Sequence, residues 1–342
     1  MLSKLKQVKK DIVAKQINLK VINSIIILSP ENIVDFALAT PAISSLKAAM
    51  PPEGKITAIV PANLQNFALN CKFIDKIVII KTFNIFILIK SLSTLLFKKF
   101  DIFINFEEEK LTTSILALLI NSKIKLAYLK GRESRLFNFI YNLKLHSIDV
   151  PQHKIVKYLN LVRFIGANTY DFLPKINIPE EDKNYAIKFL EKNNITAKDI
   201  IIGLHPTLKD EKKRWSLNKF QQLTKNLIEK YNAKIIVFYH HNEKDLLNEF
   251  MHITKNQTIV FDTCDYLKIS AIARFCNCVI CNETDFIHIL SPFTNLIVIW
   301  GDSSVEQYKP AGLNHEILKP DDGKADSVPV SKVLEHIKKF ID

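Results

Sequence analysis

The chain has 342 residues, 48% hydrophobic and 24% charged, a composition typical of a globular protein long enough for two domains. Its formal net charge of +12 favours an acidic partner, such as anionic lipid or a phosphorylated small molecule. Only five of the 47 basic residues are Arg, and they form no aromatic-interleaved stripe, so nucleic acid is not an expected partner. A lysine surface that merely confers solubility is the alternative explanation of the charge.

Cysteine usage and the N-terminus indicate a reduced compartment. Cys276, Cys278 and Cys281 are close in sequence but lack the paired C-x2-C elements of a zinc site, so buried thiols of a cytosolic protein are expected rather than a metal centre. The N-terminus is basic and lacks the apolar core of a signal peptide. The longest apolar stretch, 83–97, contains Lys90 and is shorter than the roughly 20 residues of a membrane span. A half-buried helix is favoured there over an interfacial one.

The chain alternates short β-rich runs with longer helical stretches. Strands are predicted at 21–29, 55–61, 76–80, 100–106 and 123–129 in the first half, with helices at 36–50 and 110–121. The second half repeats this plan, with strands at 199–206, 233–240, 257–263, 276–282 and 295–301 and helices at 216–231 and 243–254. Strands that alternate with helices predict α/β domains, each with a parallel, doubly wound sheet.

The halves are separated by a short extended piece that Pro174 and Pro179 flank, which is typical of a linker. The predicted division is a first domain over 1–174, a second domain over 175–320, and a terminal helical segment over 321–342 that could pack back on the first domain. In doubly wound sheets, ligands bind beyond the carboxyl ends of the strands. No glycine-rich dinucleotide loop or P-loop follows a predicted strand, so another kind of site is expected there.

Asp35 follows the first predicted strand, where a loop passes Glu31 and Asp35 before a helix begins. A carboxylate at such a junction can act as a general base. The alternative is that Asp35 only stabilises the N-terminus of the helix through the helix dipole.

A second group of residues follows the strand that ends near His205. Lys212, Lys213 and Arg214, together with Thr207 and the N–H groups of the next helix, could bind a phosphate or diphosphate. Trp215 is expected to pack this loop down. A solvated charge run is the alternative, and the position beyond a strand end makes the two equally good interpretations.

A third group is "CNETDFIH", which follows the predicted strand at 276–282. Asn282 or Thr284 could cap the helix that follows, and His288 would lie one turn inside it. A metal site needs several converging ligands, and His288 is the only histidine in this segment, so no metal is expected.

The three groups together resemble glycosyltransferase family 9, the ADP-heptose:lipopolysaccharide heptosyltransferases. "VDFALATPAISSLK" is similar to the family's Gly-Asp-x-x-x-x-Thr-Pro-Ala-x-x-x-Leu-Lys opening, and "HKIVKYLNLVRFIGA" to its His-x-x-x-x-Tyr-Leu segment. "IGLHPTLKDEKKRW" resembles its His-Pro-Gly…Lys-x-Trp loop, and "CNETDFIHILSPF" its Asn-Asp-Thr-Gly-x-x-His segment. "VIWGDSSVEQYKP" is similar to the Gly-x-Thr…Pro that follows. The similarities run in order along nearly the whole chain.

The resemblance implies a GT-B fold, in which two Rossmann-like domains face each other across a cleft. It implies an inverting transfer without a metal or other cofactor, in which Asp35 deprotonates the acceptor hydroxyl. Lys213 matches the lysine that holds the donor diphosphate. The other donor-contacting positions implied are, in chain order, Thr207, Arg214, Glu243 as a nucleoside-binding acid, Glu283, Thr284, Asp285 and His288.

The resemblance also implies a donor and an acceptor. ADP-heptose would give its heptose to a lipopolysaccharide core or a related lipid-linked surface glycan, at the cytoplasmic face of the inner membrane, with the protein bound peripherally. Three glycines of the family are Val34, Thr207 and Asp285 in this chain. Two alternatives therefore stay open: a different nucleotide-sugar donor, and a non-catalytic relative that serves as a binding or scaffold subunit.

Overall fold

A computed structural model describes residues 17–81, 95, 97–107, 110–129, 139–146, 152–255, 257–312 and 314–341. The helix predicted for the apolar stretch 83–97 lies outside these residues except at its end. The chain divides into two compact units, Met1–Asn177 and Ile178–Asp342, and the predicted boundary is after residue 174. None of the helices in the described ranges has both the length and the apolar character needed to cross a bilayer.

The first unit contains a six-stranded parallel sheet. Its strands are β1 (Ser24–Leu28), β2 (Lys55–Pro61), β3 (Lys76–Ile80), β4 (Phe100–Asn105), β5 (Ser122–Leu129) and β6 (Leu143–His146). Its described α-helices are α1 (Ile33–Ala49), α2 (Gln65–Leu69), α3 (Leu111–Leu119) and α4 (Lys154–Arg163). The strands are ordered β3-β2-β1-β4-β5-β6. Strand β1 is central, and its three isoleucines are fully buried, as expected for a strand covered on both faces.

The second unit contains a second six-stranded parallel sheet. Its strands are β7 (Ile201–His205), β8 (Lys234–Val237), β9 (Ile259–Val260), β10 (Cys278–Asn282), β11 (Leu296–Ile299) and β12 (His315–Leu318). Its described α-helices are α5 (Glu180–Lys192), α6 (Leu217–Tyr231), α7 (Lys244–Ile253), α8 (Tyr266–Ala273), α9 (Phe286–Leu290), α10 (Val305–Tyr308) and α11 (Val330–Ile341). The order β12-β11-β10-β7-β8-β9 is the order of the first sheet, repeated by the corresponding strands.

This order fixes where a ligand can bind in each unit. The chain winds outward from β1 through β2 to β3 and then returns to the other side of β1 with β4, and it does the same from β7 with β10. The connections after the two central strands therefore leave the sheet in opposite directions, which opens a crevice at their carboxyl ends. The two doubly wound α/β sheets confirm the predicted fold class. The segments that can contribute to a ligand site are those after β1, β4, β7 and β10.

The outer strand of each sheet differs from the predicted pattern. Strands β6 and β12 are not among the predicted strands, which number five in each half. Strand β6 reads Leu-Lys-Leu-His and β12 reads His-Glu-Ile-Leu. Each is four residues long and pairs on one side only, so it mixes polar with apolar residues and is too short to establish a period. Strand β9 is also shorter than the predicted 257–263.

Helix α1 begins earlier than predicted, and this changes the setting of Asp35. The helix starts at Ile33, so Asp35 lies in its first turn and not in the preceding loop as predicted. Asn32 is the N-cap residue, and its Oδ1 accepts a hydrogen bond from the Asp35 backbone N–H at 2.7 Å. The Asn32 Nδ2 donates to Asp35 Oδ2 at 2.7 Å as well. These reciprocal bonds extend the helix by one turn and fix the carboxylate at its N-terminus.

The terminal helix α11 packs into the core of the second unit. Val333 and Ile337 are fully buried in a cluster that also contains Trp215 and Ile299. The sequence leaves open that this helix packs on the first domain, whereas these contacts make it part of the second.

The cysteines Cys276, Cys278 and Cys281 are buried too, and burial raises the pKa of the last two thiols to about 12. All three cysteines remain protonated and behave as small apolar core residues.

Truncation of Ile337 tests the position of helix α11. Because the side chain is fully buried, Ile337→Ala should lower the free energy of unfolding of the second unit by about 2–5 kcal/mol. Both tryptophans of the chain, Trp215 and Trp300, belong to this unit, so tryptophan fluorescence during urea unfolding reports on it. Lys338→Ala, at the exposed neighbouring position, should change the value by less than about 0.5 kcal/mol. Equal unfolding curves for Ile337→Ala and wild type would contradict the packing.

Candidate active site

A buried asparagine closes the loop that follows β7. Asn282, the last residue of β10, is fully buried. Its Oδ1 accepts from the Trp215 backbone N–H at 2.8 Å, and its Nδ2 donates to the Pro206 carbonyl at 3.2 Å. One side chain thus holds both ends of the segment 206–215 over the crevice between β7 and β10. The prediction that Asn282 or Thr284 caps the next helix is wrong, since the N-cap residue of α9 is Asp285, without a side-chain bond to the helix.

Trp215 fastens the same loop to the core, as predicted. Its indole is fully buried and donates from Nε1 to the Val328 carbonyl at 2.8 Å. Arg214 adds two bonds inside the loop, from its guanidinium to the Leu208 carbonyl at 3.1 Å and to Glu211 at 3.3 Å. Arg214 therefore holds the loop in shape rather than presenting an unengaged guanidinium.

Lys213 lies in this loop with its ammonium partly exposed. Its Nζ donates to Ser303 Oγ at 2.6 Å and lies 3.5 Å from Glu283 Oε1. Ser303 follows β11 and Glu283 follows β10, so three neighbouring strand ends contribute to this group. The neighbouring Lys212 is exposed and pairs with no acid in the described part of the chain.

Two polar atoms after β10 are buried without a hydrogen bond. Glu283 Oε2 and Thr284 Oγ1 have no hydrogen-bond partner among the described residues, although neither is accessible to water. Such atoms are uncommon because an unsatisfied buried polar group costs about 1–3 kcal/mol. A carboxylate oxygen can only accept a hydrogen bond, whereas the threonine hydroxyl can accept or donate. The pair is therefore suited to a ligand that carries hydroxyl groups.

Thr207 and Glu243 form a buried pair beside this group. The Thr207 hydroxyl donates to Glu243 Oε2 at 2.7 Å, and the His240 backbone N–H donates to the same oxygen at 3.2 Å. Thr207 is fully buried and Glu243 is 7% exposed. The hydroxyl of Thr207 is thus used to fix a carboxylate.

His205 lies beneath Glu243 as a neutral imidazole. Its Nε2 is 3.6 Å from Glu243 Oε2, and its ring stacks on Phe286 at 4.2 Å between centroids. Burial, with a smaller contribution from His240, lowers the pKa of His205 to about 3. The contact with Glu243 is therefore not an ion pair near neutral pH, since the imidazole carries no charge there.

The remaining predicted residues of this unit are next to the same strand ends. Asp285 is exposed, and its charge adds to burial in raising the pKa of Tyr266 above its usual range. His288 is buried in α9, with 7% exposure. In all, the structure brings Thr207, Lys213, Glu243, Glu283 and Thr284 to one edge of the second sheet.

A second group of charged side chains lies at the corresponding edge of the first sheet. Asp35 is 15% exposed, and its two carboxylate oxygens accept from Lys154 Nζ at 2.8 and 3.1 Å. Beside it, Lys110 Nζ donates to Glu31 Oε2 at 2.7 Å and lies 3.5 Å from Glu107 Oε1. This edge therefore presents three carboxylates and two lysines, in the connections after β1 and β4 and at the start of α4.

These two groups also contain side chains that are not among the predicted site residues, namely Ser303, Glu107, Lys110 and Lys154. Ser303 and Lys154 lie 90 and 119 residues from the side chains that they contact, and Lys110 lies 79 residues from Glu31, although it is three residues from Glu107. Ser303 lies in the segment that resembles the family's Gly-x-Thr motif, and the order of the parallel strands brings it toward Lys213, since β11 is next to β10. Within the described residues, no three His, Cys, Asp or Glu side chains are grouped so that they could hold a metal ion.

The neutral state of His205 predicts that acid destabilises the second unit. Between the folded pKa of about 3 and an unfolded pKa of about 6.5, the unfolded chain binds the extra proton. The free energy of unfolding is therefore complete above this window and falls as the pH decreases through it. We expect a loss of about 1.4 kcal/mol per pH unit from this group below about pH 6, measured by tryptophan fluorescence.

His205→Gln should reduce this slope, because the titrating group is removed. His241→Gln removes an exposed histidine and should leave the slope unchanged. If wild type and His205→Gln lose stability equally between about pH 7 and about pH 5, the assignment of a neutral buried imidazole is wrong.

Known structures with the same architecture are found among sugar transferases. A glycosyl transferase family 9 protein from Veillonella parvula DSM 2008 has a TM-score of 0.82 at 20% identity, covering 95% of this chain and 98% of that one. The E. coli ADP-heptose lps heptosyltransferase II has a TM-score of 0.77 at 15% identity, covering 93% and 98%. E. coli heptosyltransferase WaaC with ADP has a TM-score of 0.72 at 15% identity, covering 92% and 99%. At these identities the similarity establishes the fold, which is GT-B.

The family is established by sequence. The model of glycosyltransferase family 9 (heptosyltransferase) matches residues 88–338, which is more than half of the chain. No curated protein matches the chain in sequence. Because the family model matches most of its length, the protein belongs to glycosyltransferase family 9.

Proposed function

We propose that this family 9 glycosyltransferase transfers heptose from ADP-heptose to the hydroxyl of a lipopolysaccharide core or a related surface-glycan acceptor. The transfer proceeds with inversion and without a metal. The observation that carries the proposal is the group at the carboxyl end of β10 and its neighbours. The ammonium of Lys213 lies 3.5 Å from Glu283 Oε1, and the other carboxylate oxygen of Glu283 and the hydroxyl of the next residue, Thr284, are buried and unsatisfied. A cation next to hydroxyl-binding atoms suits a sugar joined to a diphosphate.

Lys213 supplies the charge for the diphosphate. As the bond between the anomeric carbon and the diphosphate breaks, negative charge grows on the leaving phosphate, and an ammonium held nearby stabilises it. The ammonium has three N–H groups, and the hydrogen bond described for it is the one to Ser303, so N–H groups remain for a phosphate oxygen.

The neighbouring acids suit the rest of the donor. Glu283 Oε2 and Thr284 Oγ1 can hydrogen-bond to hydroxyls of the sugar, which would satisfy both buried atoms. Glu243, held by Thr207 on Oε2, keeps Oε1 for a ribose hydroxyl. Arg214, Asp285 and His288, which the resemblance implies as further donor contacts, lie in the loop after β7 and in the segment after β10. Asp285 is exposed rather than buried among these groups, so water screens its charge.

Asp35 serves as the general base of the first unit. Its carboxylate takes the proton of the acceptor hydroxyl while the oxygen attacks the anomeric carbon, and the nucleoside diphosphate leaves. Asn32 and Lys154 hold the carboxylate, and a carboxylate has lone pairs beyond those that the two donors engage. The lysine-rich composition suits a phosphorylated, lipid-linked acceptor and peripheral binding at the cytoplasmic face of the inner membrane.

Lys213→Met tests the diphosphate site. Loss of the ammonium should weaken binding of ADP by about tenfold or more, because a charge-assisted hydrogen bond contributes about 1.5–3 kcal/mol. Lys212→Met removes the same charge from the exposed neighbouring position and should change the affinity less than about twofold. Calorimetric titration measures both. Equal weakening by the two variants would indicate a diffuse charge effect and contradict the assigned site, and tighter binding of UDP or GDP than of ADP would contradict the proposed donor.

Asp35→Asn tests the base. The amide cannot take a proton, so turnover of ADP-heptose with a lipopolysaccharide-core acceptor should fall by about 100-fold or more, while ADP binding stays within about twofold of wild type. Glu53→Gln, which removes an exposed carboxylate of the same unit, should retain full turnover. Turnover by Asp35→Asn near the wild-type rate, with the unfolding midpoint unchanged, would refute this mechanism.

A further inference from the structure

The loop after β11 lies against Lys213 at two positions, Gly301 and Ser303, to which the proposed function gives no role. The loop contains Gly301, Ser303 and Ser304 and leads into α10. Ser303 Oγ accepts from Lys213 Nζ at 2.6 Å, which is the shortest contact described for that ammonium. Because a lysine side chain has about 2 kcal/mol of rotamer entropy to lose, a fixed partner decides where its charge is found.

Ser303 is itself held from two sides. Its backbone carbonyl accepts from Trp300 Nε1 at 3.0 Å and from Lys319 Nζ at 2.9 Å. Trp300 is fully buried at the end of β11, and Lys319 follows β12, so two neighbouring strand ends fix this carbonyl. The hydroxyl that receives Lys213 therefore belongs to a residue with a defined position in the fold.

Gly301 makes room for the stem of Lys213. A Cβ atom at Gly301 would lie 3.2 Å from Lys213 Cγ and 3.4 Å from its Cα, closer than ordinary van der Waals contact. The backbone of Gly301 is not in the left-handed region, so space rather than conformation calls for glycine here. The base of the lysine stem therefore lies against Gly301, and its ammonium lies on Ser303.

Glu283 competes with Ser303 for the same ammonium. Its Oε1 is 3.5 Å from Lys213 Nζ, beyond hydrogen-bond distance, while the serine is within it. Without the serine hydroxyl, the ammonium would move onto the carboxylate, since a shorter separation strengthens the attraction. A lysine paired closely with a carboxylate has less charge to offer a diphosphate.

We propose that Ser303 is a positioning residue, which keeps the Lys213 ammonium away from Glu283 and directs its remaining N–H groups toward the donor diphosphate. Trp300 and Lys319 fix the serine, and Gly301 admits the lysine stem. This inference rests on the proposed function, because it assumes that Lys213 binds the diphosphate.

Calorimetric titration with ADP, UDP and GDP tests the role of Ser303. The nucleoside diphosphate that wild type binds most tightly is then used with every variant. Ser303→Ala should weaken its binding by about tenfold, while binding of the corresponding nucleoside stays within about twofold of wild type. Ser303→Thr, which keeps the hydroxyl, should bind within about twofold of wild type. Ser304→Ala is the matched control, since the neighbouring hydroxyl bonds to Glu306 and not to Lys213.

Two further variants separate positioning from a general effect on the fold. In a Lys213→Met background, Ser303→Ala should cause no further loss, because its effect passes through the ammonium. Gly301→Ala displaces the lysine stem, leaves the serine hydroxyl in place, and should weaken diphosphate binding several-fold with an unchanged tryptophan-fluorescence unfolding midpoint.

The outcomes distinguish the two proposals. Wild-type binding that Ser303→Ala leaves within about twofold, or a Ser303→Ala loss that persists in the Lys213→Met background, overturns the positioning role alone. A wild-type protein that binds none of the three nucleoside diphosphates overturns both the positioning role and the proposed function. Loss of nucleoside binding together with diphosphate binding in Ser303→Ala also overturns the role, because it indicates a collapsed site.

Discussion

The hydrogen bonds of one buried side chain, Asn282, determine the geometry of the loop that follows β7. The amide joins the end of β10 to Pro206 at the start of the loop and to Trp215 at its end. A ten-residue loop closed at both ends by the same residue has little freedom in between. Thr207 and Lys213 lie inside it, so their contacts with Glu243 and Ser303 follow from the closure. An amide is well suited to this task because it both donates and accepts.

Val34, Thr207 and Asp285 replace three glycines of the family, and the fold accommodates each of these side chains in a different way. Val34 is buried in α1 as a core residue. Thr207 directs its hydroxyl at Glu243, and Asp285 stands at the N-cap of α9 with its side chain exposed. None of these three side chains is a buried charge without compensation. The fold therefore accommodates a side chain at each of these positions, whereas at Gly301 the Lys213 stem occupies the space of a side chain.

The alternation of elements was predictable because the central strands are long apolar runs and the helices have a clear period. Strands β6 and β12 were not, since each has four residues with mixed polarity at a sheet edge. The site was predictable only as far as local sequence reaches: Lys213 and Glu283 each follow a recognisable strand. Their partners are a different matter. Ser303 contacts Lys213 across 90 residues of sequence and Lys154 contacts Asp35 across 119, and such contacts follow from strand order and packing rather than from any local pattern.

The scarcity of glycine also has a consequence for the unfolded chain. Only seven residues of 342 are glycine, so loops that usually rely on glycine are built from residues with fewer accessible backbone conformations. Each such replacement lowers the conformational entropy lost on folding, with an effect of about 0.4–1 kcal/mol where the native backbone is compatible. The same restriction lowers the entropy cost of ligand binding, because a loop with fewer accessible conformations loses less freedom when it is ordered. Thr207 is an example. It restricts the backbone of its loop in the unfolded chain, and in the folded protein its hydroxyl holds the carboxylate of Glu243.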